Sequence, residues 1–279
     1  QNNKTTAYTY DALNRLASLT NSLNQKTQYE YDAVGNLLKT TYSNGTTTEY
    51  TYNKRNQVLS TQLKNSLSQV LASAVSVYDT AGLLTKITHE NGDNISYTYD
   101  AANQLKAEVK KNAAGSTIYS YSYSYDAAKN RTSMVKNGVT TTYTYNPLNQ
   151  LTKAGTTTYT YDFNGNQITS TVSTSTTSYA YDLENRLIKI TFPGTTTAST
   201  FTYDGDGRKV KVSEGTIVTN HLFDGLLPII ERNSSNVTLV TYTRSLGAPG
   251  GIGGIISQAR SGVTTWFHNI HNGPTNVSH

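Results

Sequence analysis

One short pattern, Tyr-x-Tyr-Asp or a close variant, recurs along the 279-residue chain. It occurs at Tyr8/Tyr10/Asp11, Tyr29/Tyr31/Asp32, Tyr50/Tyr52/Asn53, Tyr78/Asp79, Tyr97/Tyr99/Asp100, Tyr123/Tyr125/Asp126, Tyr143/Tyr145/Asn146, Tyr159/Tyr161/Asp162, Tyr179/Tyr181/Asp182, Tyr203/Asp204 and Phe223/Asp224. The second aromatic of each copy follows the previous one by 16 to 26 residues, about 21 on average. A period of that length means a supersecondary unit that cannot bury its own face and must stack on its neighbours.

The interior of the unit reads as a hairpin. Side chains alternate across a strand, so the two tyrosines of Tyr-x-Tyr share one face and the intervening residue, often Thr, takes the other. The Asp or Asn that follows can accept hydrogen bonds from backbone N–H groups two or more residues on. Three positions later comes Gly or Asn, which tolerate the left-handed conformation: Asn14, Gly35, Asn56, Gly82, Asn103, Asn149, Gly165, Asn185 and Gly207. The expectation is a type I turn closed by a G1-type bulge. An aliphatic residue five positions after the acid or amide starts the returning strand in Leu16, Leu37, Val58, Leu84, Leu105, Leu151 and Leu187, with Ile168 and Val210 displaced by one. Asn44-Gly45, Asn91-Gly92, Asn137-Gly138 and Pro193-Gly194 mark a second, looser turn at the other end.

These readings predict an all-β chain: a spiralling antiparallel sheet, as a solenoid or a shell wall, of about 22 strands at two per unit. Residues 1–225 hold about eleven units of ~21 residues, and 226–279 form a degenerate β extension or cap. Composition agrees, since 22 Tyr and abundant Thr accompany only 35% hydrophobic and 15% charged residues.

The same arithmetic removes several function classes. With no Cys there is no disulfide framework, thiolate metal site or cysteine nucleophile. No apolar run is long enough for a membrane-spanning helix. The net charge of +5 comes from scattered basic residues; Lys110-Lys111 and Arg208-Lys209 are the densest groups, and nucleic acid is not expected as a partner. The chain starts at Gln1 without an apolar leader, which suits a processed chain or a piece of a longer one.

The tandem units resemble the YD-repeat family, also called Rhs repeats. It is found in Rhs and polymorphic toxins, in the B and C components of insecticidal toxin complexes, and in teneurins. Tyr29-Glu30-Tyr31-Asp32-Ala33-Val34-Gly35-Asn36-Leu37 and Tyr179-Ala180-Tyr181-Asp182-Leu183-Glu184-Asn185-Arg186-Leu187 are similar to its consensus, and the resemblance spans residues 8 to 225. Residues 266–275 resemble the aromatic-rich stretch that precedes the Rhs core, and the core itself is absent. The resemblance implies a hollow β shell around another polypeptide, or an extracellular scaffold, and no catalytic residue transfers.

Candidate sites outside the repeat are few. Asp204-Gly205-Asp206-Gly207 opens like a calcium loop but lacks a Glu at position twelve, where Gly215 stands. His268 and His271 are the one close histidine pair, and on a strand they point to opposite faces. The Gly-rich run 247–254 has neither nucleotide-binding spacing. The residues expected to carry the repeat are Tyr10, Asp11, Tyr31, Asp32, Gly35, Tyr52, Tyr99, Asp100, Tyr125, Asp126, Tyr145, Tyr161, Asp162, Gly165, Tyr181, Asp182, Tyr203, Asp204 and Gly207. The functional expectation is a non-enzymatic structural scaffold without cofactor or metal, extracellular or at the cell surface. Its partners would be an enclosed polypeptide or copies of the chain itself. The alternative is an adhesion module whose tyrosine face takes a glycan.

Overall fold

The structure, a computed structural model, describes residues 5–195, 197–244, 255–261, 263–270 and 273–278. It is all-β: 26 strands lie among the described residues, from Ala7–Tyr10 to Gly273–Ser278, with no helix between them. Strands that follow one another in sequence pair antiparallel, as Ala7–Tyr10 does with Leu16–Thr20 and that strand with Lys26–Tyr31. The expected 22 strands are exceeded because pairing continues beyond residue 225, where Ile217–Asp224 joins Leu227–Arg232.

The turn chemistry explains why the chain folds back at each repeat. At Asp32 the backbone N–H donates to Asn36 O at 2.9 Å, and Gly35 N–H donates to Asp32 O at 3.2 Å. The carboxylate Oδ1 accepts the N–H groups of Val34 and Asn36 at 3.0 and 2.8 Å. The third position is left-handed in every turn from Asp11 to Asp204, with φ of 60° at Asn14, 98° at Gly35 and 61° at Asn185. The Asp126 unit, which has neither Gly nor Asn there, forces Lys129 to φ 69°.

One expectation needs correcting. Five turns at the far end are not looser: those at Asn21, Tyr42, Asn65, His89 and Asn112 close with the same pair of backbone hydrogen bonds, and Asn137-Gly138 is a two-residue turn between the paired Lys136 and Val139. Asn21, Asn65 and Asn112 can do so because an amide oxygen caps the turn as a carboxylate oxygen does.

The chain divides into two compact units, residues 1–97 with 110–117 and 240–279, and residues 98–109 with 118–239. In the first, burial alternates along Lys26–Tyr31, with Thr27 and Tyr29 buried and Lys26, Gln28 and Glu30 exposed. Leu16, Leu19, Tyr29, Leu37 and Tyr42 form one core cluster, and Leu63, Ala74 and Ile87 another. Late strands of this unit supply cover: Val263–Ile270 lies against Val58–Lys64, Asn21 Nδ2 is 3.5 Å from Thr243 Oγ1, and Val240 and Ser257 are buried. The second unit differs, for among its described residues Ser199 alone is buried. Its tyrosines are half-exposed and its other face carries exposed Thr144, Thr160, Lys189 and Thr200. It is a single layer of sheet.

Candidate functional site

The repeat motif itself is the site, and the structure shows a part for every atom of the tyrosine. In the repeat hairpins with resolved pairing from Tyr10 to Tyr203, the second aromatic stands opposite the residue six positions on, across a bulge: Tyr10 with Leu16, Tyr31 with Leu37, Tyr145 with Leu151, Tyr181 with Leu187; in the last unit Phe223 stands opposite Pro228, five positions on. The aliphatic position found in the sequence is therefore the cross-strand partner of the tyrosine ring. At Tyr161 and Tyr203 that partner is Gln167 and Lys209, so Ile168 and Val210 are displaced from it.

The bulge has a second effect. Between one hairpin and the next, the ladder stops two residues short of that aliphatic position: Ser18 with Gln28, Lys39 with Glu49, Lys153 with Thr158, Thr169 with Ser178, Lys189 with Thr200. The carbonyl beyond the last pair would lack a donor, and a phenol from the following repeat supplies it. Tyr31 donates to Leu16 O, Tyr52 to Leu37 O, Tyr78 to Val58 O and Tyr125 to Leu105 O, at 2.7 to 3.0 Å. Tyr145, Tyr161, Tyr181 and Tyr203 donate likewise to Arg131 O, Leu151 O, Gln167 O and Leu187 O at 2.8 to 3.0 Å. The second tyrosine is thus an inter-repeat staple, at about 0.5–1.5 kcal/mol net for each hydrogen bond. Sequence reasoning placed these rings in cross-strand packing and missed the hydroxyl. The signal was available, since this position is Tyr in ten units and Phe only in the last, Phe223.

The acid of the motif is occupied by its own turn. Asp162 Oδ1 accepts from Asn164 and Asn166, and its Oδ2 takes the Asn166 amide at 2.9 Å. The Asn166 amide, followed by the backbone donors, holds the Asp162 carboxyl below its ordinary value, and Asn130 does the same for Asp126. At Asp11 the Arg15 backbone N–H leads, with the Arg15 guanidinium adding to it. Asp32, Asp182 and Asp204 are also lowered; partial desolvation opposes the shift and their hydrogen bonds outweigh it. Asp100 caps in the same way, through the N–H groups of Ala102 and Gln104.

The residue four after the acid links one turn to the next. Asn36 reaches Asn56 Oδ1 at 3.0 Å, Asn130 reaches Asn149 Oδ1 at 2.9 Å, and Asn166 reaches Asn185 Oδ1 at 2.8 Å. Where the position is Arg, the cation pairs with its own Asp and reaches a carbonyl of the next turn, Asp32 O for Arg15 and Gly225 O for Arg208. Arg15 and Arg186 also lie over Tyr31 and Tyr203, 4.8 and 5.0 Å from the ring centroids.

The other candidates resolve simply. Asp204 and Asp206 both pair with Arg208, at 2.7 and 3.0 Å, in an ordinary repeat turn rather than an open cation loop. The side chains of His268 and His271 and the run 247–254 lie outside the described residues. No group of three His, Asp or Glu suited to a metal occurs among the described residues. No described helix is long and apolar enough to cross a membrane.

Hairpins stapled to one another through tyrosine phenols and aspartate-capped turns define a tandem β-repeat protein. Residues 10–47, 31–66 and 78–117 match the RHS Repeat family, so these stretches carry RHS repeats. No curated protein matches it. Among solved structures, the crystal structure of TcdB2-TccC3-Cdc42 is similar over 99% of this chain, at 17% identity and a TM-score of 0.72. The Photorhabdus luminescens Tc holotoxin pore is similar over 98%, at 17% identity and 0.62, and TcdB2-TccC3 without its hypervariable C-terminal region over 98%, at 15% and 0.55. This chain spans 15–20% of the length of those three chains, and the likeness establishes the fold.

Proposed function

We propose that this chain is a stretch of wall in a non-enzymatic, toxin-associated scaffold, outside the cell or at its surface, whose sheet encloses another polypeptide. The observation that carries the reading is the single-layer second unit, where a 122-residue repeat segment from 118 to 239 holds one buried residue among those described. A sheet stable on its own buries one face against a second layer. A sheet held instead by staples and turn ladders suits a wall that faces a lumen and solvent. The shared fold with Tc toxin chains and the RHS repeats support the same reading. Residues 226–279 would extend the repeat sheet, the strands from 240 on covering early repeats of the first unit, and the motif acids would serve as turn caps rather than catalytic groups.

Electron microscopy of the chain expressed with its natural flanking sequence, combined with limited proteolysis, tests this. Hollow particles that protect an internal segment are expected. Head-to-tail fibres, or particles without protected content, would overturn the shell and leave a self-assembling filament.

A further inference from the structure

One locus on the tyrosine face departs from the repeat. Strand Thr117–Tyr125 carries four tyrosines on one face, and Tyr119, Tyr121 and Tyr123 make a continuous row. Tyr119 and Tyr121 meet edge to face at 5.5 Å between centroids, and Tyr121 and Tyr123 run parallel within 4° at 6.2 Å. In the same unit the position that is aliphatic elsewhere is Arg131, opposite Tyr125 across the bulge. Its guanidinium carbon lies 4.5 Å from the Tyr143 centroid and 5.7 Å from that of Tyr123. Lys136 Nζ lies 5.6 Å from the Tyr121 centroid.

These two cations have no anion. Arg15, Arg186 and Arg208 each pair with the carboxylate of their own turn, whereas Arg131 and Lys136 pair with none among the described residues. Arg131 Nε is buried from solvent without an acceptor. The carboxylate that does reach this row, Glu108, accepts the Tyr119 hydroxyl at 2.7 Å and leaves the cations unneutralised. The Tyr121 and Tyr123 hydroxyls have no hydrogen-bond partner among the described residues. A guanidinium lying over two aromatic rings, with no carboxylate of its own, keeps the N–H fork that takes a carboxylate in two parallel bonds.

We propose that Arg131, Lys136 and the Tyr119–Tyr123 row form a binding site for an acidic polysaccharide, with a uronate carboxylate on Arg131 and sugar hydroxyls on the free phenols. Charge complementarity selects an acidic ligand, and the setting selects a glycan. The strand Arg131–Lys136, which carries both cations, is paired on one side with Tyr121–Tyr125 and on the other with Val139–Tyr145, so it offers no open edge for an acidic peptide to join. Two cations are too few for the phosphate track that retains a nucleic acid at moderate salt. The free hydroxyls match a polyol. The site stands whether or not the sheet walls a shell.

The test uses the full chain and its Arg131→Leu variant, which puts at this position the leucine found there in six other repeats and should therefore fold. Calorimetry with hexagalacturonate, cellohexaose, hexaglutamate and a dT12 oligonucleotide is run at low and at moderate salt. Hexagalacturonate should bind the parent chain and lose at least about tenfold in affinity in Arg131→Leu, as expected for loss of a charge-assisted bidentate contact. Lys136→Thr should weaken it further, and cellohexaose should not bind. Undiminished binding by a folded Arg131→Leu chain, equal binding of cellohexaose, or no binding at all would overturn the site. Equal or tighter binding of hexaglutamate or dT12 would overturn its assignment to a glycan.

Discussion

Tyr159 and Tyr161 stand two residues apart on one strand and share a face, but Tyr161 donates its hydroxyl to Leu151 O at 2.8 Å while Tyr159 has no such bond. Replacing each by Phe keeps the ring, its packing and the strand propensity, so the difference between the variants isolates one phenol. Tyr161→Phe loses a hydrogen bond of about 0.5–1.5 kcal/mol and leaves a carbonyl beyond the ladder without its donor, which sets the expected cost near 1 kcal/mol. Tyr159→Phe should fall within ~0.5 kcal/mol of the parent. Tyr181→Phe and Tyr179→Phe provide an independent repetition, since Tyr181 donates to Gln167 O at 3.0 Å. The Tyr161→Phe and Tyr203→Phe losses should add to about 2 kcal/mol, because Tyr203 donates to Leu187 O, stands opposite Lys209 and shares no partner with Tyr161. Repeat arrays open locally, so hydrogen exchange at strand Leu151–Ala154 is the direct assay, with urea unfolding as the global one. Faster exchange confined to that strand and its neighbours is expected for Tyr161→Phe. Equal costs for Tyr161→Phe and Tyr159→Phe would refute the staple and return the tyrosines to a role in packing alone.

Acid should loosen the turns. Asp11, Asp32, Asp126, Asp162, Asp182 and Asp204 all have lowered folded-state values, so their stabilisation is complete above the unfolded value of about 3.9 and is lost as pH falls through the lower folded values. A urea midpoint flat from neutral pH to about 5 and falling below about 4 is expected, and replacing these acids with Asn should flatten the fall. Glycine substitutions should divide by position. Gly35 has φ 98° and open space around it, so Gly35→Asn should cost under ~1 kcal/mol, given that Asn fills this position in other repeats. At Gly45 a Cβ would come 2.8 Å from Ser66 Cβ at φ 80°, so Gly45→Ala should cost ~1–3 kcal/mol in the same melts. If the two cost the same, the close approach at Gly45 is not what restricts it.

Much of the fold is legible in the sequence because the information is local. Asp or Asn followed three residues later by Gly or Asn defines each turn within five residues, and the alternation in Tyr-x-Tyr defines which residues share a face. Leu16, Leu37, Val58, Leu84, Leu105, Leu151 and Leu187 begin strands where the pattern puts them. Of the far-end turns, those headed by Tyr42 and His89 carry the Asn44-Gly45 and Asn91-Gly92 pairs that mark them in the sequence, with the Asn44 and Asn91 amides as caps. Those headed by Asn21 and Asn65 contain no glycine and close on Asn24 and Ser68 in the left-handed conformation, which leaves them without that mark.

The candidate site divides in the same way. That Asp162 caps a turn follows from its neighbours in sequence. That Tyr161 reaches Leu151 O follows only from the stagger between hairpins, which a bulge in one hairpin and the register of the next set jointly. The sequence puts Arg131 at the aliphatic position, one residue beyond the place of Arg15, Arg186 and Arg208 in their units, but that it stands over two rings without a carboxylate beside it is invisible in one dimension. By itself the sequence determined the repeating hairpin, its turns and its two unlike faces, because those depend on side-chain alternation and on bonds spanning a few residues. Tertiary structure decided which carbonyls the phenols reach, which tyrosines are covered and which stay open, because each depends on where the pairing of one hairpin with the next comes to an end.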